Sequence, residues 1–245
     1  MTDPKEAEAV TSYSVAEDGV ALIRLERPRS RNAIDTQMLS ELLEHLAVAQ
    51  GDEAVRVLVF SSSDHMGFSA GADVREVLDH DGHVARMELF SELYDTIVAF
   101  PKPTVAACHG DVVGGGAEVA IACDLRVGGS NLRMRFPGAA LGMPVGPARL
   151  VTLCGLAAAK YLLLTSRTVG PDEALRLGLI NRVAPAAATE ESALAMAASV
   201  AAHPPEAVAR LKRMLHEWDD IEGRSAAEGI GQVEHVRGGV DLPFG

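Results

Sequence analysis

Two short stretches of this chain combine glycines with groups that can hold or move charge. The first is Gly110-Asp111-Val112-Val113-Gly114-Gly115-Gly116-Ala117-Glu118. It follows an apolar run and opens what reads as a helix. Bare glycines let a ligand approach the backbone closely. The free N–H groups of a helix N-terminus favour an anion there. No Lys-Ser/Thr follows, so this is not a Walker phosphate loop, and the glycine spacing does not fit the dinucleotide fingerprint. Two readings stay open: an oxyanion site with Glu118 one turn further in, or a tight turn whose glutamate complements the helix dipole.

The second stretch is Gly67-Phe68-Ser69-Ala70-Gly71-Ala72-Asp73. Its Gly-x-Ser-x-Gly pattern spells a nucleophile elbow, which would make Ser69 a hydrolase nucleophile with Asp124 and His203 following in chain order. An elbow places its serine directly after a strand, yet residues 61–66 intervene here. The competing reading is a small-residue loop capped by Asp73. A third cluster, Asp79-His80-Asp81-Gly82-His83, could supply acid–base groups because histidine titrates near neutrality. An exposed polar loop is the favoured reading there.

Positioning such groups requires a scaffold, and the chain alternates strand and helix patterns. Residues 13–15 and 20–25 read as strands around the turn signal Glu17-Asp18-Gly19, and Pro28 ends that ladder. Asp35 caps a helix whose Met38, Leu39, Leu42, Leu43 and Leu46 follow the helical period, closed by Gly51. Residues 55–60 form a near-continuous apolar strand, which implies burial on both faces. A helix is expected from about Asp73, a strand at 104–108, a helix at 117–123 and a strand at 124–127. Helices at 149–165 and 171–177 and a short strand at 180–183 follow. From Ala187 the chain is alanine-rich and helical, broken at His203-Pro204-Pro205. Alternation of this kind implies crossover units and a mainly parallel sheet, an α/β class.

Composition narrows the function. The 245 residues are 48% hydrophobic and 23% charged, which excludes a disordered or collagen-like chain. A net charge of −12 and only 4% aromatic residues argue against nucleic-acid binding. Cys108, Cys123 and Cys154 lie in apolar sequence and read as buried free thiols of a reducing cytoplasm. No Cys-x-x-Cys or His-Glu-x-x-His occurs, so no metal site is expected. The first ten residues lack the basic and apolar regions of a secretory signal, and no uninterrupted apolar run reaches the length of a membrane span. Arg24, Arg27, Arg29 and Arg31 crowd one stretch. Such a patch fits a phosphorylated small ligand or a solvated turn.

Together these segments resemble the crotonase family, the enoyl-CoA hydratase/isomerase superfamily, over about residues 20–185. Arg27-Pro28-Arg29-Ser30-Arg31-Asn32-Ala33 is similar to the family's entry motif, and residues 68–76 to its first oxyanion motif. His109-Gly110 through Glu118, then Ala122-Cys123-Asp124-Leu125, is similar to the second. Gly178-Leu179-Ile180-Asn181-Arg182-Val183 matches a later landmark. The resemblance implies a spiral of β-β-α units over residues 13–186, after a flexible segment 1–12. It also implies a helical region 187–245 that builds homotrimers or homohexamers. An acyl-CoA thioester would lie between the two motifs, with the backbone N–H groups of Ala72 and Gly115 on its oxygen and Glu118 as acid/base. Arg27, Arg29, Arg31, Ala33, Ala70, Asp73 and Arg75 would border the CoA. No metal or separate cofactor is implied, nor any nucleic-acid or membrane partner. The pocket's depth would depend on Val74, Val77, Leu78 and residues 87–93.

The sequence departs from that pattern at two places. A typical hydratase of the family carries a second catalytic glutamate after a proline, and here the matching stretch is Arg135-Phe136-Pro137-Gly138, with Gly138 in its place. One carboxylate can still cycle a proton from water to carbon or between carbons. The expectation is therefore a hydratase/isomerase-type enzyme, with a decarboxylase, a non-catalytic acyl-CoA binder and, last, a Ser69 hydrolase as alternatives. His80, His83 or Asp79 are candidates for a missing acid. The family's closing helix is also expected to be absent, because the sequence runs out through residues 240–245.

Overall fold

β1 (Thr11–Val15) and β2 (Val20–Leu25) pair antiparallel, Tyr13 opposite Ile23, around the expected turn. β1 starts within the segment expected to be flexible, because Glu41 accepts from the Thr11 N–H at 2.9 Å and its hydroxyl at 2.7 Å. The computed structural model describes residues 8–239. Residues 1–7 and the stretch 240–245 lie outside the described residues.

After the hairpin the chain repeats one unit. A strand joins a large sheet, the next joins a small sheet, and a helix follows. β3 (Val57–Ser62), β4 (Gly67–Ser69) and α2 (His80–Val98) form the first unit, after α1 (Thr36–Gly51). β5 (Thr104–Cys108), β6 (Asp111–Val113) and α3 (Gly115–Ala122) form the second. β7 (Leu125–Gly129), β8 (Arg133–Arg135) and α4 (Pro147–Thr165) form the third. β9 (Thr168–Val169), α5 (Pro171–Arg176) and β10 (Arg182–Ala184) then close both sheets. The large sheet runs β1-β2-β3-β5-β7-β10 and is parallel from β2 onward; the small one runs β4-β6-β8-β9.

Every residue of β3 and β5 is buried, as continuous apolar runs require of strands covered on both faces. One face of the large sheet packs on Met38, Leu39 and Leu42 of α1 and Leu93 and Ile97 of α2. The other takes Ala193, Ala197 and Ala201, a stripe with a spacing of four on α6 (Thr189–Ala201). The alanine-rich tail thus begins as part of the core sandwich. α7 (Pro205–Asp219) and α8 (Ile221–Arg237) follow, and α8 packs along α2.

Several boundaries differ from expectation. The helix expected from Asp73 starts at His80, capped by the Asp79 carboxylate, which accepts from Gly82 N–H at 2.8 Å. Asp73 is drawn away by Arg27 instead, at 3.0 Å. The strand expected at 55–60 runs from Val57 to Ser62. The strands of the small sheet are two or three residues long, too short for periodicity to mark them. α4 has the length and mean hydropathy, 1.4, that a membrane span would need. Arg149 and Lys160 interrupt it, so the sequence shows no continuous apolar run there. Within the fold it is kinked at Gly155 and buries Arg149.

Candidate active site

Ala72 sits in a parallel bridge to Ile34: Ile34 N–H donates to Gly71 O and Asp73 N–H to Ile34 O, each at 2.8 Å. That pattern turns the Ala72 N–H away from the bridge. Gly115 is the first residue of α3, so its N–H has no partner within the helix. Neither N–H donates to an acceptor among the described residues. The two come together: a methyl group built on Gly115 would lie 3.5 Å from the Ala72 nitrogen. Both residues line one cavity of about 290 Å³, walled by Val74, Met87, Phe90, Pro137, Leu141, Met143 and Val145, with Tyr94, Gln232 and Arg135, whose Nε donates to Ser166 O at 2.7 Å, as polar members.

A second cleft of about 210 Å³ adjoins it through Ala70, Ala72 and Val74, and is bordered by Arg29, Ser30, Arg31, Ala33, Asp73 and Arg75. Six of the seven positions expected at the CoA are on that list. Arg27 is the exception. It bridges Asp35 and Asp73, each at 3.0 Å, and also donates to the Ala33 carbonyl. Its charge, and that of Asp73, are paired inside the protein, where Arg27 braces the cleft wall. Arg31 pairs with Asp111 and stays exposed. Arg24 lies apart, paired with Glu190 at 2.6 Å.

A family model described as enoyl-CoA hydratase/isomerase matches residues 15–229. The chain belongs to that family. It is 32% identical over 205 residues to the 2,3-dehydroadipyl-CoA hydratase of Escherichia coli (strain K12), covering 82% of this chain and 80% of the relative. It is 35% identical over 240 residues to the human mitochondrial enoyl-CoA hydratase domain-containing protein 2, covering 93% and 82%. The crystal structure of the Bacillus anthracis enoyl-CoA hydratase superposes with a TM-score of 0.83 at 26% identity, covering 95% and 92%. An enoyl-CoA hydratase/isomerase from Xanthobacter autotrophicus Py2 gives 0.86 at 25%, covering 97% and 90%. The spiral of strand-strand-helix units is therefore the family fold, and the α/β expectation holds.

Glu118 lies one turn into α3 with 0% exposure. Its Oε2 accepts from Arg149 Nε at 3.2 Å and Nη2 at 2.9 Å, while Oε1 has no hydrogen-bond partner. Arg149 also reaches Glu228 on α8 at 2.7 Å and Ser225 Oγ at 2.8 Å. Ser225 in turn donates to Asp95 at 2.6 Å. Two buried carboxylates thus share one guanidinium. Burial outweighs Arg149's attraction, Glu228 adds repulsion, and the Glu118 carboxyl is pushed up to about 7. A carboxyl near neutrality can take and return a proton at little cost.

Gly146 completes this cradle. Its φ is +97°, and a Cβ there would fall 2.5 Å from Glu118 Oε1. Gly146→Ala combines backbone strain with a steric push on the carboxylate, so a loss of roughly 1–3 kcal/mol in denaturant unfolding is expected. An unchanged midpoint would show that the cradle is loose.

Gly138 lines the cavity where the family's second glutamate is expected. A Cβ there would meet the Met143 carbonyl at 2.4 Å, so the segment after it leaves no room for a side chain. The other acid candidates lie elsewhere. His80 and His83 sit on the first turn of α2, and neither lines the cavity. Ser69 is also excluded as a nucleophile: its hydroxyl donates to Asn32 O at 2.7 Å and accepts from Gly71 N–H at 3.1 Å. Asp124 is bound to Lys212 at 2.7 Å, away from it. Of the residues expected to set pocket depth, Val74 and Met87 line the wall and Val77 is 96% exposed. Leu141, Met143, Val145 and Gln232 were not foreseen, because they come from an irregular segment and from the helical tail.

Proposed function

We propose that this chain is an acyl-CoA thioester enzyme that holds an enolate between the N–H groups of Ala72 and Gly115, with Glu118 as acid and base. What carries the reading is the convergence, from two separate elements, of two N–H groups without protein acceptors on one apolar cavity. Adding water to a 2-enoyl thioester moves an electron pair onto the thioester oxygen. Two fixed donors stabilise that charge more than the neutral carbonyl, and losing one such donor typically costs about 3–4 kcal/mol. Glu118 would take the proton of water and return it to Cα, cycling through its neutral form. The hydratase names of its relatives support hydration over isomerisation or decarboxylation.

The CoA would enter as part of the substrate, its phosphates near Arg29, Arg31 and Arg75, with no further cofactor. Free thiols support a reducing, cytoplasmic setting: Cys108 and Cys123 are buried, which raises Cys108 to about 12 and Cys123 further, while Cys154, expected to be buried, is half-buried. Exposed Leu156 and Leu164 on α4 and Leu211, Leu215 and Trp218 on α7 support a homotrimer or homohexamer.

One observation favours a second reading, binding without turnover. Glu118 is sealed behind the cavity wall and is not among the residues lining it. A mass-spectrometric turnover assay with crotonyl-CoA, a 3-enoyl-CoA and a malonyl-type ester, beside a CoA-ester titration, separates the two. Water addition to crotonyl-CoA is expected. Tight binding with no product would establish the second reading.

A further inference from the structure

The cavity wall is mostly hydrocarbon, so its polar members need a reason. Tyr94 on α2 is only 4% exposed and lines the cavity; its hydroxyl makes no hydrogen bond among the described residues yet is not one of the fully buried unpartnered oxygens, so it opens on the cavity. A hydroxyl held at an apolar wall without a protein acceptor is free to donate to a ligand. The ring is held on both sides, by Phe90 with centroids 5.8 Å apart and by the Arg149 guanidinium 4.9 Å from its centroid. The hydroxyl therefore has a fixed place. A methyl group built on Gly115 would lie 3.3 Å from Tyr94 Oη and 3.5 Å from the Ala72 nitrogen. The phenol thus faces the same small volume as the two free N–H groups. Burial, then the charge of Glu118, holds its proton on well above the ordinary phenol range, so it donates and does not act as a base.

We propose that the Tyr94 hydroxyl is a catalytic hydrogen-bond donor, the third to the thioester oxygen of an acyl-CoA. This rests on the function proposed above. No proton is transferred by Tyr94: its O–H bond stays intact. The electron pair displaced onto the thioester oxygen when water adds at Cβ is held by three donors. It then returns to form the Cα–H bond with the proton carried by Glu118. The third donor lowers the enolate's energy, which offsets part of what Gly138 removes without replacing the missing proton source. Gln232 does not share this role. Its amide N–H donates to Glu228 at 2.7 Å, and its oxygen is buried away from the cavity.

Tyr94→Phe keeps the ring between Phe90 and Arg149 and removes only Oη. We expect kcat to fall roughly 10- to 100-fold with KM within about threefold, and Tm to hold or rise because no internal hydrogen bond is lost. Acetoacetyl-CoA gives a second readout, since its enolate absorbs in the near ultraviolet. The enolised fraction on the variant should drop about tenfold or more while butyryl-CoA binding is unchanged, because only the enolate needs the donor. Wild-type kcat and enolate fraction in the variant would overturn the proposal. So would an equal loss of both ligands with a lowered Tm, which marks a packing role. Should the wild-type protein bind no CoA ester, the inference falls with the proposed function. Turnover by the wild type with an unaffected variant removes this inference alone.

Discussion

Glu118→Gln is expected to lower kcat by roughly 10²- to 10⁴-fold while CoA-ester affinity stays within a few-fold. The amide keeps the volume and can still accept from Arg149, but it cannot carry a proton away from water. The pH dependence gives a second check. Glu118 acts first as a base, so wild-type kcat should rise with pH through about 7 and fall away below it. Besides burial, the groups around it that set this limb are Arg149 and Glu228. Stability should move the opposite way. The folded-state carboxyl titrates above its ordinary value of 4.5, so the native state binds the extra proton between there and about 7. That contribution is fully present below 4.5 and is lost as pH rises through about 7, up to about 3 kcal/mol. Tm of the wild type should therefore decline between pH 5 and pH 8 more than Tm of Glu118→Gln. Parallel declines would show that Glu118 is charged throughout and needs no burial penalty.

How far the sequence discloses this arrangement depends on whether a signal is local. The large sheet was legible, because buried parallel strands are apolar throughout and the capping aspartate before α1 is a local cue. The strands of the small sheet were not, since two or three residues carry no period. Arg29, Arg31, Ala33, Ala70 and Arg75, which the family resemblance groups together, do border one cleft. The pairing of Arg27 was not legible, because an arginine in a basic run looks free until its partners are seen, and Asp35 and Asp73 lie 8 and 46 positions away. The largest omission is the tail. Beyond the assembly role the resemblance implies, it supplies α6 to the sheet and Ser225, Glu228 and Gln232 to the site. Those contacts span 76 to 82 residues, and no periodicity encodes them. Arg149 shares the problem: on an apolar helix it reads as an interruption, and only its carboxylate partners give it meaning.

That arginine leads to the second large effect. Arg149→Met should destabilise the protein by about 3–5 kcal/mol, because it leaves the carboxylates of Glu118 and Glu228 in the interior without a cation. For a chain of this size that corresponds to a Tm lower by roughly 6–20 °C. The packing change is small, since methionine can lie against the Tyr94 ring where the guanidinium now sits. Electrostatics therefore dominates the loss, and two further variants isolate it. Arg149→Lys keeps a charge but cannot reach Glu118, Glu228 and Ser225 together, so it should recover part of the stability. Arg149→Met combined with Glu228→Gln should be more stable than Arg149→Met alone, because the remaining Glu118 can neutralise itself by holding a proton. The same logic sets the activity. Without Arg149 the Glu118 carboxyl loses its only cationic neighbour among the described residues and titrates higher, so the acid limb of kcat should move upward in pH. If Arg149→Met kept the wild-type Tm and pH profile, the two glutamates would have to be protonated already, and Glu118 would start the reaction as an acid instead of a base.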